Sequence, residues 1–500
     1  MTDNQIITPV IVHLFTAILQ LVFWRKTVTQ RILSITGCLI GFALSLNLFT
    51  KVLQGGILTM NAANWQPPFG IVFVADLLSS TLVLLTSVSA LAVCIFSATG
   101  IARSRMLYGY FPIFHFLVMG LNGAFLTGDI FNQYVWFEVI IIASFVLLTL
   151  GGRKAQLEGA VKYMALNILA STFFLTGIAL LYGITGTLNM ADLSQKVPLV
   201  KDQSMVNLIS VFFLTGFGIK AAVFPLYFWL PSSYHTPPSA VAAIFGGLLT
   251  KVGLYALFRF FTLVIVPDNT IRIILMGMAV LTILTGAFGA IIKNNIRRLF
   301  SYLIVCHIGF IIGGLGTYSK VAFAGAIFYL IHDIMVKTNM FLIAGLIRQL
   351  RGTMDMDRLG GLYAGYPKIS LLIAIVLFSL TGVPPLSGFW PKILLFSAAF
   401  DTSNYAFIGS LVLGSFITLY VVARMWSKVF WKSAPEDPPP ANNFDLLSPL
   451  KKTSLVLPVC ILASSSLFIG LNAEFIARVA DTISNEMIDT TPYIKAVLGK

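Results

Sequence analysis

Long apolar runs alternate with short polar breaks along the chain, and most runs are about 20 residues long. A helix of that length crosses the hydrocarbon core of a bilayer. The pattern predicts an all-α membrane protein with about fourteen spans. They lie near 6–24, 32–52, 71–99, 107–127, 131–150, 163–187, 206–230, 239–262, 273–292, 299–318, 321–347, 370–396, 405–427 and 453–473. Proline interrupts two of them. The seventh contains Phe224-Pro225 and then Trp229-Leu230-Pro231, and the twelfth contains the run LTGVPPLSGFWPK. A proline at membrane depth frees a backbone carbonyl, which must be satisfied again or line a wet cavity.

The two broken spans lie five positions apart, which predicts an inverted repeat of spans 4–8 and 9–13. The match is imperfect, because Lys220 precedes its break whereas Lys392 follows Pro384-Pro385. The expected divisions are 1–106 (spans 1–3), 107–262 (first five-helix half), 263–430 (second half) and 431–500 (inner loop, span 14 and tail).

Charge sets the orientation. With the N-terminus outside, the inner loops hold twenty lysines and arginines, and the outer loops and tail hold eight. That asymmetry obeys the positive-inside rule. The remaining five, Lys220, Lys251, Arg259, Lys337 and Lys392, fall inside spans. Composition agrees with the pattern: of 500 residues, 57% are hydrophobic and 10% charged, with a mean hydropathy of +0.90. Soluble domains carry about 25% charged residues. The net charge of +14 forms no basic block, so nucleic acid is not an expected partner. The first apolar run lacks a basic leader and a small-residue cleavage site and reads as a retained span. Cys38, Cys94, Cys306 and Cys460 stand singly in apolar segments and read as packing residues.

The buried charges carry the chemistry. Glu138 stands alone in FNQYVWFEVIIIASF. A buried carboxylate takes up a proton unless a cation is near, and Lys220 is a candidate partner. The competing reading is a fixed pair that locks two helices. Lys251 lies mid-span in GGLLTKVGLYAL, where Gly246 and Gly247 permit close helix approach. Arg259 sits nearer the outer end and reads as snorkelling to the interface. In FYLIHDIMVKTNMFLIAGL, His332 and Lys337 are five apart, about 140° around a helix, so they do not share a face. Asp333 follows the histidine, and a structural Asp–Lys pair competes with a proton-transfer role. Histidine suits proton transfer because its ordinary pKa is near 6.5. His307 is a weaker candidate, and His13, His115 and His235 read as structural or loop residues. Lys392 follows the second break and needs water or a partner. Asp76 and Asp129 lie near the outer ends of spans and read as interfacial.

No Walker A motif, dinucleotide-binding glycine pattern, cysteine cluster or metal-binding histidine pair is present in the sequence. No cofactor or metal is expected, and the chain is read as a transporter component drawing on an existing gradient or on a partner, not as an enzyme.

The buried set Glu138, Lys220, Lys251, His332, Lys337 and Lys392 resembles the proton path of antiporter-like subunits. Those subunits are shared by Mrp-type multisubunit cation/proton antiporters and by respiratory complex I. NWQPPFGIVFVADLL, NGAFLTGDIFNQYVWFEV, GTLNMADLSQKV and FPLYFWLPSSYHTPPSAVAAIFGGLLTKVG look closer to the D subunits (MrpD, also MnhD) of the Mrp type. The resemblance implies a hydrated proton route from the Glu138–Lys220 pair through Lys251 and then His332 and Lys337 to Lys392, with His307 and Asp333 as possible members. Mrp-type D sequences often have two adjacent histidines where this chain has His332-Asp333, which puts the central step in question. The resemblance also implies a bacterial inner-membrane hetero-oligomer with the A, B, C, E, F and G subunits. The rival expectations are a proton-pumping subunit of a redox-driven complex, such as complex I or a membrane-bound hydrogenase, and a non-conducting scaffold.

Overall fold

The protein is described by a computed structural model covering residues 4–435 and 444–499. Residues 436–443 of the expected inner loop, and Lys500 of the tail, lie outside the described residues. The chain is helical almost throughout. Helices α1 (Thr8–Val22) and α2 (Thr27–Gly55) lead into an antiparallel hairpin. Its strands are β1 (Leu58–Asn61) and β2 (Val72–Ala75), with Leu58 opposite Ala75. There follow α3 (Leu77–Gly100), α4 (Tyr110–Leu126), α5 (Ile130–Thr149) and α6 (Lys154–Thr185). The first broken span is α7 (Gln203–Ala221) and α8 (Trp229–Ser233). Next come α9 (Ser239–Val264), α10 (Asn269–Ile291), α11 (Ile296–Thr317) and α12 (Lys320–Arg351). The second break separates α13 (Pro367–Thr381) from α14 (Phe389–Asp401). The chain closes with α15 (Tyr405–Trp431), α16 (Pro449–Leu471), α17 (Ala473–Ile488) and α18 (Thr491–Leu498). Among the described residues, 12 helices are long and apolar enough to cross a membrane, and α4 and α13 are shorter apolar helices.

Polar residues in the breaks start these helices. The Asp76 carboxylate accepts from Ser79 N at 2.8 Å, and the Ser79 hydroxyl accepts from Asp76 N at 3.0 Å. Asp129 caps α5 through Asn132 N at 2.8 Å, and Asn295 caps α11 through Arg297 N at 3.1 Å. The first N–H groups of a helix have no partner within it, and a lipid environment offers none. Asp76 and Asp129, read from sequence as interfacial, are thus buried helix caps.

Helices α9, α11 and α12 form the centre. The most apolar 18-residue windows of α9 and α12 are 100% buried and that of α11 is 94%, against 33% for α2. Small residues let the central helices approach. A Cβ on Gly247 would stand 1.9 Å from Thr338 Oγ1 of α12, and one on Gly253 would stand 2.6 Å from Ala221 N of α7. The second contact presses α9 against the end of α7, beside Lys220.

The outer end of α9 corrects one expectation. Arg259 does not snorkel: it is 9% exposed and forms an ion pair with Asp76, itself 2% exposed. Its guanidinium lies 5.4 Å from the Tyr255 ring centroid and 5.2 Å from that of Tyr493 on α18. A buried cation is tolerated when a counter-ion replaces its water, and the C-terminal tail closes that site. Lys320 Nζ ties α12 to Asp481 of α17 at 3.1 Å. Glu486 of α17 is half-buried near Asp76, and burial together with that carboxylate raises its pKa to about 7.

Two outcomes follow from this packing. Gly253→Val forces side-chain atoms into the α7 backbone, a cost of about 1–3 kcal/mol. Its thermal midpoint in detergent falls by several degrees, whereas Gly277→Val, where a Cβ meets nothing within 4 Å, matches wild type. Glu486 binds its proton more tightly folded than unfolded, so its contribution is full below the ordinary carboxylate range and is lost as pH rises through about 7. Amide exchange in 473–498 is therefore faster at pH 8 than at pH 5 after correction for intrinsic rates, and Glu486→Gln reduces that difference.

Candidate functional site

The first cluster joins α5, α6 and α7. Glu138 is half-buried on α5. Ser171 of α6 donates its hydroxyl to Glu138 Oε1 at 2.5 Å, and Lys220 Nζ donates to Ser171 Oγ at 3.3 Å. Among the described residues no direct Lys220–Glu138 ion pair is present: a hydroxyl stands between them. Lys220 lies in the last turn of α7, where the helix dipole favours a cation. Its ammonium is 4.8 Å from the Phe137 ring centroid. The chain then turns at Ala222, which takes a left-handed φ of 60°. The break is satisfied locally, since the Trp229 indole donates to Ile219 O at 2.9 Å and Phe224 N–H to Thr282 Oγ1 at 2.9 Å.

Two cavities lie between Lys220 and the polar surface at the start of α6. One of about 250 Å³ is lined by Glu158, Lys162, Ser232, His235, Lys293 and Arg298. A second, of about 20 Å³, touches Lys220 itself together with Tyr163, Asn167 and Trp229. That is room for about one water. Gly159 lines the first cavity and Tyr163 the second, one turn apart on α6. His235, read from sequence as a structural or loop residue, lines the first of these cavities. Its Nδ1 donates to Pro231 O at 2.9 Å, and its Nε2 accepts from Arg298 at 3.0 Å. Burial first, and then Arg298, lower its pKa to about 4, so it is neutral at ordinary pH.

The second cluster centres on Asp333. Lys251 Nζ is 2.8 Å from Asp333 Oδ2, and both side chains have no exposure. A π-helical turn at Phe245–Leu249 interrupts α9 just before Lys251. Lys251 also donates to the Gly246 carbonyl in that turn at 2.9 Å. On α12, Lys337 is one turn beyond Asp333, with Nζ 3.8 Å from Oδ1. Lys337 also donates to His307 Nδ1 at 3.0 Å and to Leu303 O at 3.1 Å. An ammonium only donates, so in this arrangement His307 Nδ1 is bare and Nε2–H faces Thr418 Oγ1 at 3.3 Å. His307 Nδ1 also lies 3.6 Å from Asp333 Oδ1. A proton passed from Lys337 to His307 would therefore stay beside the same carboxylate. His332 is not in this cluster, as its position around the helix requires.

The third cluster surrounds the second break. His332 Nδ1 is 2.7 Å from Ser387 Oγ, which is 2.7 Å from Ser379 Oγ. Lys392 starts on α14 but reaches back and donates to Thr381 O, the last residue of α13, at 2.8 Å. The mismatch between the two breaks persists in three dimensions: Lys392 bonds the carbonyl end of α13, whereas Lys220, in the last turn of α7, directs its ammonium to Ser171 of α6. Tyr329 bridges the second and third clusters, with its ring centroid 5.7 Å from His307 and 5.5 Å from His332.

Ser171, Tyr329, Ser387 and Thr418 had no signal in the sequence, because hydroxyl residues are common in spans and most bond their own backbone. Among the described residues, no group of three or more His, Cys, Asp or Glu side chains is arranged to hold a metal.

Comparison with known proteins places this arrangement. The family model described as NADH:quinone oxidoreductase/Mrp antiporter, TM, matches residues 127–418, which include every member of the three clusters. The D subunit of the Na(+)/H(+) antiporter of Alkalihalophilus pseudofirmus is 39% identical over 503 residues, covering 99% of both chains. A chain of the Mrp complex from a Dietzia species superposes with a TM-score of 0.91 at 27% identity, covering 100% of each. A chain of respiratory complex I from Thermus thermophilus has the same fold, with a TM-score of 0.81 at 22% identity, covering 97% of this chain and 100% of its own. The chain belongs to the NADH:quinone oxidoreductase/Mrp antiporter membrane family and, within it, resembles the D subunits of Mrp-type antiporters over its whole length.

Proposed function

We propose that this chain is the proton-translocating D subunit of a multisubunit Na⁺/H⁺ antiporter in a bacterial inner membrane, working with A, B, C, E, F and G subunits. We infer fourteen spans, with five-helix halves at 107–262 and 263–430 related by an inverted repeat, between 1–106 and 431–500. The observation that carries the reading is the buried row itself. Glu138, Lys220, Lys251, Asp333, Lys337, His307, His332 and Lys392 lie within the spans, and the helices of Lys220, Lys251 and Lys392 are broken or π-wound near them. The Mrp reading is preferred to a redox-driven complex because full-length identity to an antiporter D subunit is 39%, against 22% to the complex I chain.

Protons enter at the inner mouth and reach Lys220 past Tyr163 and Trp229. Lys220 gives a proton to Ser171 Oγ while Ser171 gives its own to Glu138, which discharges both ends of the pair. One positive and one negative charge vanish together, so the Lys251–Asp333 pair feels the loss of a dipole rather than of a unit charge. That loss biases the Lys251–Asp333 pair, which in turn biases the Lys337–His307 proton. The route continues past Tyr329 to His332 and Lys392. Asp333 holds Lys251 more closely than Lys337, so the place of a second histidine is taken by a carboxylate that serves both lysines.

Two experiments test this in everted vesicles carrying all the subunits, with assembly checked on native gels. Glu138→Gln abolishes Na⁺-dependent proton movement, Ser171→Ala lowers its rate about tenfold, and Ser171→Thr restores most of it. Full activity in Glu138→Gln would defeat the proposed path. Asp333→Asn leaves Lys251 buried without a counter-ion, a loss of about 3–5 kcal/mol, and assembly falls. Lys251→Met with Asp333→Asn restores assembly but not transport.

A further inference from the structure

Two histidines of the N-terminal helices are buried together outside the charged row. His13 of α1 is 1% exposed and His115 of α4 is 0% exposed. Their Nδ1 atoms lie 2.9 Å apart, and the ring planes are within 30° of each other with centroids 5.1 Å apart. The other nitrogen of His115, Nε2, is 2.8 Å from Ser34 Oγ on α2. The Cys94 thiol of α3 donates to the same hydroxyl at 3.1 Å. His13 Nε2 is buried without a hydrogen-bond partner, beside Gly41, where a Cβ would stand 2.9 Å from it.

Two ring nitrogens at that distance share one hydrogen, so one donates and the other accepts. This condition leaves the row two arrangements. In one, His115 Nδ1–H donates to His13, His115 Nε2 accepts from the Ser34 hydroxyl, and His13 carries its own hydrogen on Nε2. In the other, His13 Nδ1–H donates to His115, His115 Nε2–H donates to Ser34, and His13 Nε2 is bare. Both are neutral and contain the same two hydrogen bonds.

We propose that His13, His115 and Ser34 form a second, neutral proton relay through the N-terminal helices, separate from the charged row. A proton taken up at bare His13 Nε2 releases the Nδ1 proton to His115 Nδ1. His115 passes its Nε2 proton to Ser34 Oγ, and Ser34 releases its hydroxyl proton. One proton enters, one leaves, and the row is left in the other arrangement, which ring rotation or a reverse passage resets. Toward the outer side, Ser45, on the same face of α2 as Ser34 and Gly41, has a buried hydroxyl without a partner. Toward the inner side, a cavity of about 630 Å³ is lined by Arg31, Ile95, Thr99 and Ile35, the residue after Ser34, and water entering there takes the proton that Ser34 releases.

The inference rests on the reading of the chain as a proton-conducting antiporter subunit, and its test separates the two. The assembled complex is labelled with ¹⁵N-histidine, and the signals of the two rings are assigned by loss in His13→Gln and His115→Gln. Solid-state NMR shows both Nδ1–H and Nε2–H forms for each ring, and a single fixed form for each overturns the relay. Glutamine keeps one donor and one acceptor but has no tautomers. Each variant therefore lowers Na⁺-dependent proton movement at least fivefold with assembly retained, and the double variant is no slower than either single one. Rates within twofold of wild type overturn the proposal. If the variants fail to assemble, the signals are assigned by selective dephasing from the Ser34 and Cys94 helices, and the wild-type spectrum decides. Glu138→Gln is measured alongside: its full activity would strike the charged row and leave the histidine result standing.

Discussion

Lys251 and Asp333 face each other at 2.8 Å with no exposure to solvent or lipid, and much of the central packing exists to make that pair tolerable. An ammonium taken out of water needs both a counter-ion and acceptors for its remaining hydrogens. The π-turn in α9 presents the Gly246 carbonyl to Lys251. Gly247 lets α9 lie against Thr338 of α12, the helix that carries Asp333. Asp333 is also the carboxylate nearest Lys337 and His307. One anion therefore serves three basic groups, and a charge gained or lost at any of them is felt by the other two. A site with matched pairs would be more stable and less responsive.

The two breaks solve the same problem without a carboxylate in contact. At the end of a half-helix the last carbonyls have no partner, and their dipoles point at whatever follows. Lys392 reaches that position from the far side of the break, whereas Lys220 lies in the last turn of its helix and turns its ammonium to Ser171. Ala222 and Gly382 both adopt left-handed backbone there, turning the chain out of the helix at the lysine. The broken geometry thus supplies a carbonyl site for Lys392, and at Lys220 it ends the helix beside the hydroxyl that holds the ammonium.

The apolar runs gave away the helices, because a bilayer admits few other patterns, and an ionised residue within such a run stands out by its cost. Glu138, Lys220, Lys251, Lys337 and Lys392 were legible for that reason, and the angular offset of His332 from Lys337 followed from helix geometry. The partners were not legible. Ser171 is one of many hydroxyls in the spans, and only the meeting of α5, α6 and α7 makes it a bridge. Asp333 reads in sequence as a neighbour of Lys337, yet its shortest contact is with Lys251, more than eighty positions earlier. Arg259 reads as a terminal cation able to reach the interface, because its cover comes from Tyr493 near the far end of the chain. His13 and His115 look like isolated packing residues until α1 and α4 bring their rings together. In each case the missing information was a long-range contact between spans, which periodicity within one span does not encode.

The hydroxyl between Glu138 and Lys220 bears on what the charged pair can do. A direct buried ion pair is held strongly, and taking it apart leaves two uncompensated charges. With Ser171 inserted, a concerted shift of two hydrogens neutralises both ends over short distances and without separating the partners. The same reasoning distinguishes the histidine row of the N-terminal helices. Its two arrangements are both uncharged, so neither has to be stabilised against burial. A proton in transit is the only charge it ever carries. The charged row needs counter-ions and helix ends along its length, and those are what the packed helices provide. The neutral row needs only correct spacing, which four packed helices supply with ordinary side chains.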